Sequence, residues 1–136
     1  MSLISLLYIS SSSLAAEEAS HEVARIVATS RAYNATVDIT GALLFTGTHF
    51  AQILEGDEAV VDALLDKLHL DPRHRDILIV QRGPATVRRC SGCNMAYSGS
   101  STGVASYVAR ALEADVGDAR DAAARSLANL MVEFVG

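Results

Sequence analysis

The sequence predicts a small α+β domain, and three observations carry that prediction. Two stretches, around residues 15–31 and 57–70, place apolar residues at helical spacing. Short apolar or alternating runs at the length of strands precede, separate and follow them. A glycine-centred break at Gly47 joins two of those runs as a tight hairpin would. With 136 residues the chain is the size of one domain and can bury enough surface to need no disulfide or metal staple.

Taken in order, residues 3–10 are apolar on both parities, as expected of a central strand covered on at least one face. Ser10 to Ser13 form a polar break rich in possible N-caps. Over 15–31, Val23, Ile26 and Val27 share a helical face. Glu17 and Glu18 near the start and Arg31 at the end suit the helix dipole. Residues 34–38 read as a loop, and strands follow over 40–46 and 49–55. Asp57 can cap a second helix whose stripe is Val61, Leu64, Leu65 and Leu68, ended by Asp71-Pro72. A fourth strand is expected over 76–81 and a fifth over 85–90, joined by Gly83-Pro84. Residues 104–113 and 118–134 read as two short helices, the first with Val104, Tyr107, Val108 and Leu112, the second with Leu127, Leu130, Met131 and Phe134. The predicted fold is therefore a ferredoxin-like βαββαβ with an added fifth strand. Two helices cover one sheet face and the C-terminal helices cover the other. Residues 1–97 form the core and 98–136 a helical cap.

Half the residues are hydrophobic, a fifth are charged and the net charge is −5. That balance excludes a disordered chain and argues against sequence-independent binding to nucleic acid or to an anionic membrane. No run approaches the ~20 apolar residues of a membrane helix. The apolar start lacks the basic flank of a signal peptide, and two cysteines fit a reducing cytoplasm.

Strand parity isolates two polar side chains. Gln52 shares a face with Phe50 and Leu54, and Tyr8 shares one with Ile4 and Leu6. A buried amide or phenol without a partner costs about 1–3 kcal/mol, so each must find a hydrogen bond, to the other or to the backbone. On pattern alone this is a satisfied buried pair or part of a ligand site.

Six segments sharpen the choice: Leu7-Tyr8-Ile9-Ser10; Ser30-Arg31 with Asn34; Ile39-Thr40-Gly41 with Leu43-Leu44; residues 50–56, reading FAQILEG; Asp71-Pro72-Arg73-His74; and Asn94-Met95-Ala96-Tyr97. In this order and spacing the chain resembles a BLUF domain, a blue-light sensor using flavin, over roughly residues 1–97. The resemblance implies a non-covalent flavin, usually FAD with FMN or riboflavin as alternatives, between the first two helices. It implies that Tyr8 is the photochemical electron and proton donor, that Gln52 bridges Tyr8 and the flavin edge, and that Met95 relays the change. Asn34 would bond the flavin's carbonyl and N3 edge. Ile26, Phe50 and Leu54 would pack on the ring, although ordinary core packing needs the same residues. Arg31 and Lys67 would approach the phosphate or ribityl part, and His74 would flank the ring. As solvated charges and a helix-terminal histidine, these three need no ligand.

The resemblance is incomplete. The family's usual tryptophan falls on Cys93, an earlier aromatic on Cys90, and Tyr33 stands where a polar residue or histidine is common. Cys90 and Cys93 form a Cys-x-x-Cys, but one following a strand rather than opening a helix, so plain thiols compete with a redox sensor. The histidines show no metal-ligand spacing and no nucleophile or phosphate-loop motif occurs, so no enzyme is expected. The expected output is a downstream signalling protein in trans, with self-association through the C-terminal helices or a sheet face. A flavin-free interaction module is the rival reading.

Overall fold

The computed structural model describes residues 2–93, 96–98, 102–114 and 118–135. The chain runs β1 (Leu3–Ser12), α1 (Ala16–Thr36), β2 (Thr40–Phe45), β3 (His49–Asp57), α2 (Glu58–Leu70), β4 (His74–Pro84), β5 (Ala96–Ser98), α3 (Thr102–Glu113) and α4 (Asp118–Val135). The sheet order is β4-β1-β3-β2-β5, with the first four strands antiparallel and β5 parallel to β2. This is the ferredoxin-like arrangement with an added strand.

Alternation along β1, β2 and β3 divides the interior into two cores. Ile4, Leu6, Tyr8, Leu43, Phe50 and Leu54 point to one face, where Val23, Ile26 and Val27 of α1 and Val61 and Leu65 of α2 cover them. Leu7, Ile9, Ala42, Leu44, Ala51 and Ile53 point to the other. There Val108 and Ala111 of α3 and Ala124, Leu127, Ala128 and Met131 of α4 complete the cover. Both faces of the central strands are thus buried, which is why residues 3–10 are apolar on both parities. Because α3 and α4 occupy the second face, that face is not open for self-association. The side chains of Val104 and Phe134 lie outside the described residues.

Five expectations are corrected. The fifth strand is not 85–90, where the chain turns and Val87 is 71% exposed, but Ala96–Ser98, laid beside Ala42 to Leu44. Helix α1 continues through Asn34 to Thr36, and only then does Asp38 reverse the chain at a positive φ of 56°. β1 extends through the expected serine break, where Ser11 and Ser12 pair with Arg75 and His74. β4 begins at His74 and carries Gly83-Pro84 within it, which an edge strand tolerates. Neither Asp57 nor the serines near α1 supply the side-chain cap: Ala15 and Asp57 are the N-cap residues, and neither makes a side-chain cap hydrogen bond. The hairpin stands as expected, with Gly47 at φ 99°, where a side chain would be strained.

Candidate functional site

The site begins with strand register. Tyr8 of β1 lies directly opposite Gln52 of β3, which lies opposite Leu43 of β2, so three side chains form a row across one sheet face. Tyr8 is wholly buried and Gln52 is 4% exposed. The Tyr8 hydroxyl donates a short hydrogen bond to Gln52 Oε1. Burial, and secondarily the charge of Asp71, push the Tyr8 phenol far above its ordinary pKa, so the proton stays on its oxygen.

Above this row lies a cleft of about 250 Å³. Its first wall is Ile26, Thr29, Ser30, Tyr33 and Asn34, the i, i+3, i+4, i+7, i+8 face of α1. Its second wall is Leu64, Lys67 and Leu68 of α2, with Asp71 just beyond the helix. Leu43 and Gln52 form the floor, and Arg73 and His74 close one end. Asn34 is buried in the last turns of α1, where its carbonyl accepts the Val37 and Ile39 amides that terminate the helix. The Lys67 ammonium sits 4.0 Å from the centre of the Tyr33 ring, bridging the two walls.

His74 is buried, not exposed at a helix end. Its Nδ1 shares a 2.9 Å hydrogen bond with Ser10 Oγ, and its ring tilts against Phe50 at 4.5 Å between centres. Burial lowers its pKa from 6.5, opposed by Asp71, so the ring is held neutral. Although burial works against its charge, paired hydrogen bonds from Arg73 hold the Asp71 carboxyl below its usual range. That pairing fixes the turn that carries His74.

The structure therefore brings Ile26, Asn34, Gln52, Lys67 and His74 to the cleft, with Tyr8 hydrogen-bonded to its floor. Phe50 and Leu54 are fully buried beneath it, within the core of the same face. Arg31 does not join them. It lines a separate depression on α1 with Val23 and Val27. Met95 lies outside the described residues. Sequence reasoning gave no role at the site to Thr29, Ser30 or Ser10. The first two could have been found, because polar residues recur on the apolar helical face that Ile26 begins. The thiols are free, and burial first, then the Glu55 charge, push Cys90 up to about 12, unlike a reactive redox cysteine. Among the described residues no helix is long and apolar enough to cross a membrane.

Fold and site together define a ferredoxin-like domain with a buried phenol–amide pair beneath a cleft between two helices. A family model described as "BLUF: Sensors of blue-light using FAD" matches residues 3–96, and the chain belongs to that family. It is a blue-light photoreceptor domain that uses a flavin. The Escherichia coli blue light- and temperature-regulated antirepressor BluF is 34% identical over 79 residues, covering 58% of this chain and 20% of the relative. A photoactivated adenylate cyclase beta subunit of Euglena gracilis is 37% identical over 67 residues, 49% of this chain and 8% of the relative. The chain thus spans a fifth or less of the length of these two curated relatives. Among solved structures, BlrB, a BLUF protein in its dark state, superposes with a TM-score of 0.75 at 30% identity, covering 95% of this chain and 97% of that one. The photo-activated state of BlsA superposes at 0.81 over 96% and 94% of the two chains, and at 20% identity it supports the fold alone.

Proposed function

We propose that the cleft between α1 and α2 holds the ring end of FAD and that Tyr8 and Gln52 are the light switch beneath it. The observation that carries this reading is the buried Tyr8-to-Gln52 hydrogen bond on the cleft floor. The donor set suits a flavin. Two carboxamides, Asn34 and Gln52, each offer a donor and an acceptor to a heterocycle edge, and Ile26, Leu43, Leu64 and Leu68 offer apolar walls. The cleft's volume suits a ring system rather than a whole dinucleotide, so the remainder would leave past Lys67 at the mouth. Arg31, on another flank of α1, is left out of the ligand set.

When bound there, a flavin excited by blue light supplies an oxidant able to draw an electron and then a proton from a phenol. The chain's residues do the rest. Burial keeps the Tyr8 proton in place in the dark and aims it at Gln52. Gln52 Oε1 accepts the Tyr8 hydroxyl, and the same head carries an NH2 donor; reorienting or tautomerising that head exchanges donor for acceptor. Ile26 and the two leucines of α2 exclude water. His74, neutral and backed by Phe50, closes one end without adding charge. Met95 follows the turn at Cys90 to Cys93 and would carry the change toward β5. Residues 1–97 would form the sensor and 98–136 the output segment.

No catalytic step is assigned to these residues, because the rearrangement consumes nothing. The output would be a protein contact in trans, as the antirepressor relative's name suggests, with self-association through α3 and α4. The reducing cytoplasm suits the two free thiols. The test is an absorption spectrum of the FAD-loaded protein before and after a blue pulse. A reversible red shift of the flavin band is expected. A colourless protein that FAD cannot reconstitute would overturn the reading in favour of a flavin-free docking module. A band that bleaches would overturn the proposed cycle.

A further inference from the structure

At the far end of β3 from the hairpin, a carboxylate is sealed inside the protein. Glu55 is fully buried and points to the face opposite Gln52, three residues away on the same strand. Its Oε1 accepts the Thr40 hydroxyl at 3.0 Å and the Cys90 amide at 2.9 Å, and its Oε2 accepts the Arg89 amide at 2.6 Å. The Arg88 guanidinium adds a second tie, donating to the Glu55 carbonyl, to Thr40 Oγ1 and to Asp38 Oδ2. A buried carboxylate is costly unless its oxygens are saturated in this way, so the residue needs a structural return. What it secures is a turn with no ladder of its own. Residues 88–90 lie between β4 and β5, and the carboxylate fastens them to the ends of β2 and β3. Two residues of that turn continue outward. The Cys90 side chain enters the core shared with α3 and α4, and the Arg89 guanidinium donates to Asn129 Oδ1 on α4. The same turn then leads to Cys93, whose carbonyl accepts the Gly41 amide of β2, and on to the segment carrying Met95.

We propose that Glu55 is a positioning residue of the light response: its buried carboxylate clamps the 88–90 turn to β3 and passes a displacement of that strand to α4. The proposal rests on the photoreceptor reading above and adds a route for its output. A backbone adjustment at Gln52 is felt three residues along the same strand, and the clamp leaves the turn no freedom to ignore it. Glutamine has the shape of glutamate but turns an NH2 toward one of the three donors, so one arm of the clamp becomes a donor facing a donor.

The test is hydrogen exchange on the FAD-loaded chain, in the dark and under steady blue light, with the flavin spectrum recorded on the same samples. In Glu55→Gln the red shift should persist, and dark exchange of the Arg89 and Cys90 amides should rise about tenfold or more. The light-minus-dark difference in α4 should be lost. Loosened turn amides with a wild-type α4 difference would overturn the proposal. So would bound FAD without a red shift in the variant, which would place Glu55 in the photochemistry itself. Wild-type protein that shifts but shows no α4 difference would overturn the route while sparing the photoreceptor reading. Wild-type protein that binds FAD and never shifts would overturn both. Should Glu55→Gln fail to fold, Asn129→Ala at an exposed α4 position carries the test. It should leave spectrum and recovery unchanged and reduce the α4 difference, and a full-size difference there would overturn the Arg89 arm.

Discussion

Replacing Tyr8 by phenylalanine removes one oxygen atom from a fully buried site, and the structure says what that should cost. The ring keeps its place, because Tyr8 is locked opposite Gln52 in the β1–β3 register and its edge faces His74 at 6.2 Å between centres. What is lost is one hydrogen bond, and Gln52 Oε1, itself inside the protein, loses its phenolic donor. A neutral hydrogen bond with a buried survivor costs about 1–3 kcal/mol. For a domain of this size that is a fall of roughly 4–10 °C in Tm. Folding and flavin binding should therefore survive while the red shift disappears. Two measurements on one sample decide it: thermal unfolding, and the difference spectrum after a blue pulse. The cycle is completed by Gln52→Leu, which removes the acceptor and should also abolish the shift. The double variant should be less destabilised than the two single losses added together, since both remove the same bond. A normal red shift in Tyr8→Phe would refute the role given to the phenol. Additive destabilisation in the double variant would refute the direct pairing.

Two further predictions follow from the same geometry. His74 is held neutral by burial, with a folded pKa below 6.5, so the unfolded chain takes up its proton first as pH falls. Stability from this residue is intact above 6.5 and is lost as pH drops below it; the Tm difference between pH 7.5 and pH 5.5, set by choice of buffer at about those values, should shrink in His74→Gln, and an unchanged difference would refute the assignment. Gly41 runs so close to β3 that a Cβ would collide with the Ile53 carbonyl oxygen. Backbone must therefore move in Gly41→Ala, at a cost of at least ~2 kcal/mol by denaturant melt, and a variant within 0.5 kcal/mol or so of the wild type would contradict the close approach.

The parts of the fold legible in the sequence were those with a period. Alternation in β3 and the Leu64–Leu68 stripe of α2 repeat often enough to be read, the unbroken apolar run of β1 marks a strand covered on both faces, and Gly47 marks its own turn. The fifth strand was not legible, because three residues laid parallel beside β2 leave no periodic trace. Residues 85–90 resembled a strand through Val87 and the preceding Gly-Pro, but their conformation is dictated from outside, by a carboxylate 35 residues earlier that binds their amides. Asn34 read as a loop residue because asparagine competes with helix hydrogen bonding. The helix persists there because the side chain belongs to an inward face begun by Ile26. Arg31 was expected near the phosphate or ribityl part of the flavin, and it lies on a different flank of α1 from the residues that line the cleft.

Tyr8 and Gln52 were legible for a reason that also bears on how such a site can signal. Strand side chains alternate, so a polar residue on an apolar parity must have a partner, and register made each the other's. The same alternation places Ala51 and Ile53, the neighbours of Gln52, in the core shared with α3 and α4, and Leu7 and Ile9, the neighbours of Tyr8, beside them. The two cores lie on opposite faces of the sheet and share its backbone. A side chain can rotate without moving its strand, but an exchange of donor for acceptor at Gln52 changes what the strand's own row must satisfy. Any adjustment of β3 that follows repositions residues packed against α4. Close packing resists continuous deformation, so such an adjustment is taken up as a shift of whole elements. On the reading proposed above, the sheet would serve both as the floor of the flavin site and as the lever under the C-terminal helices.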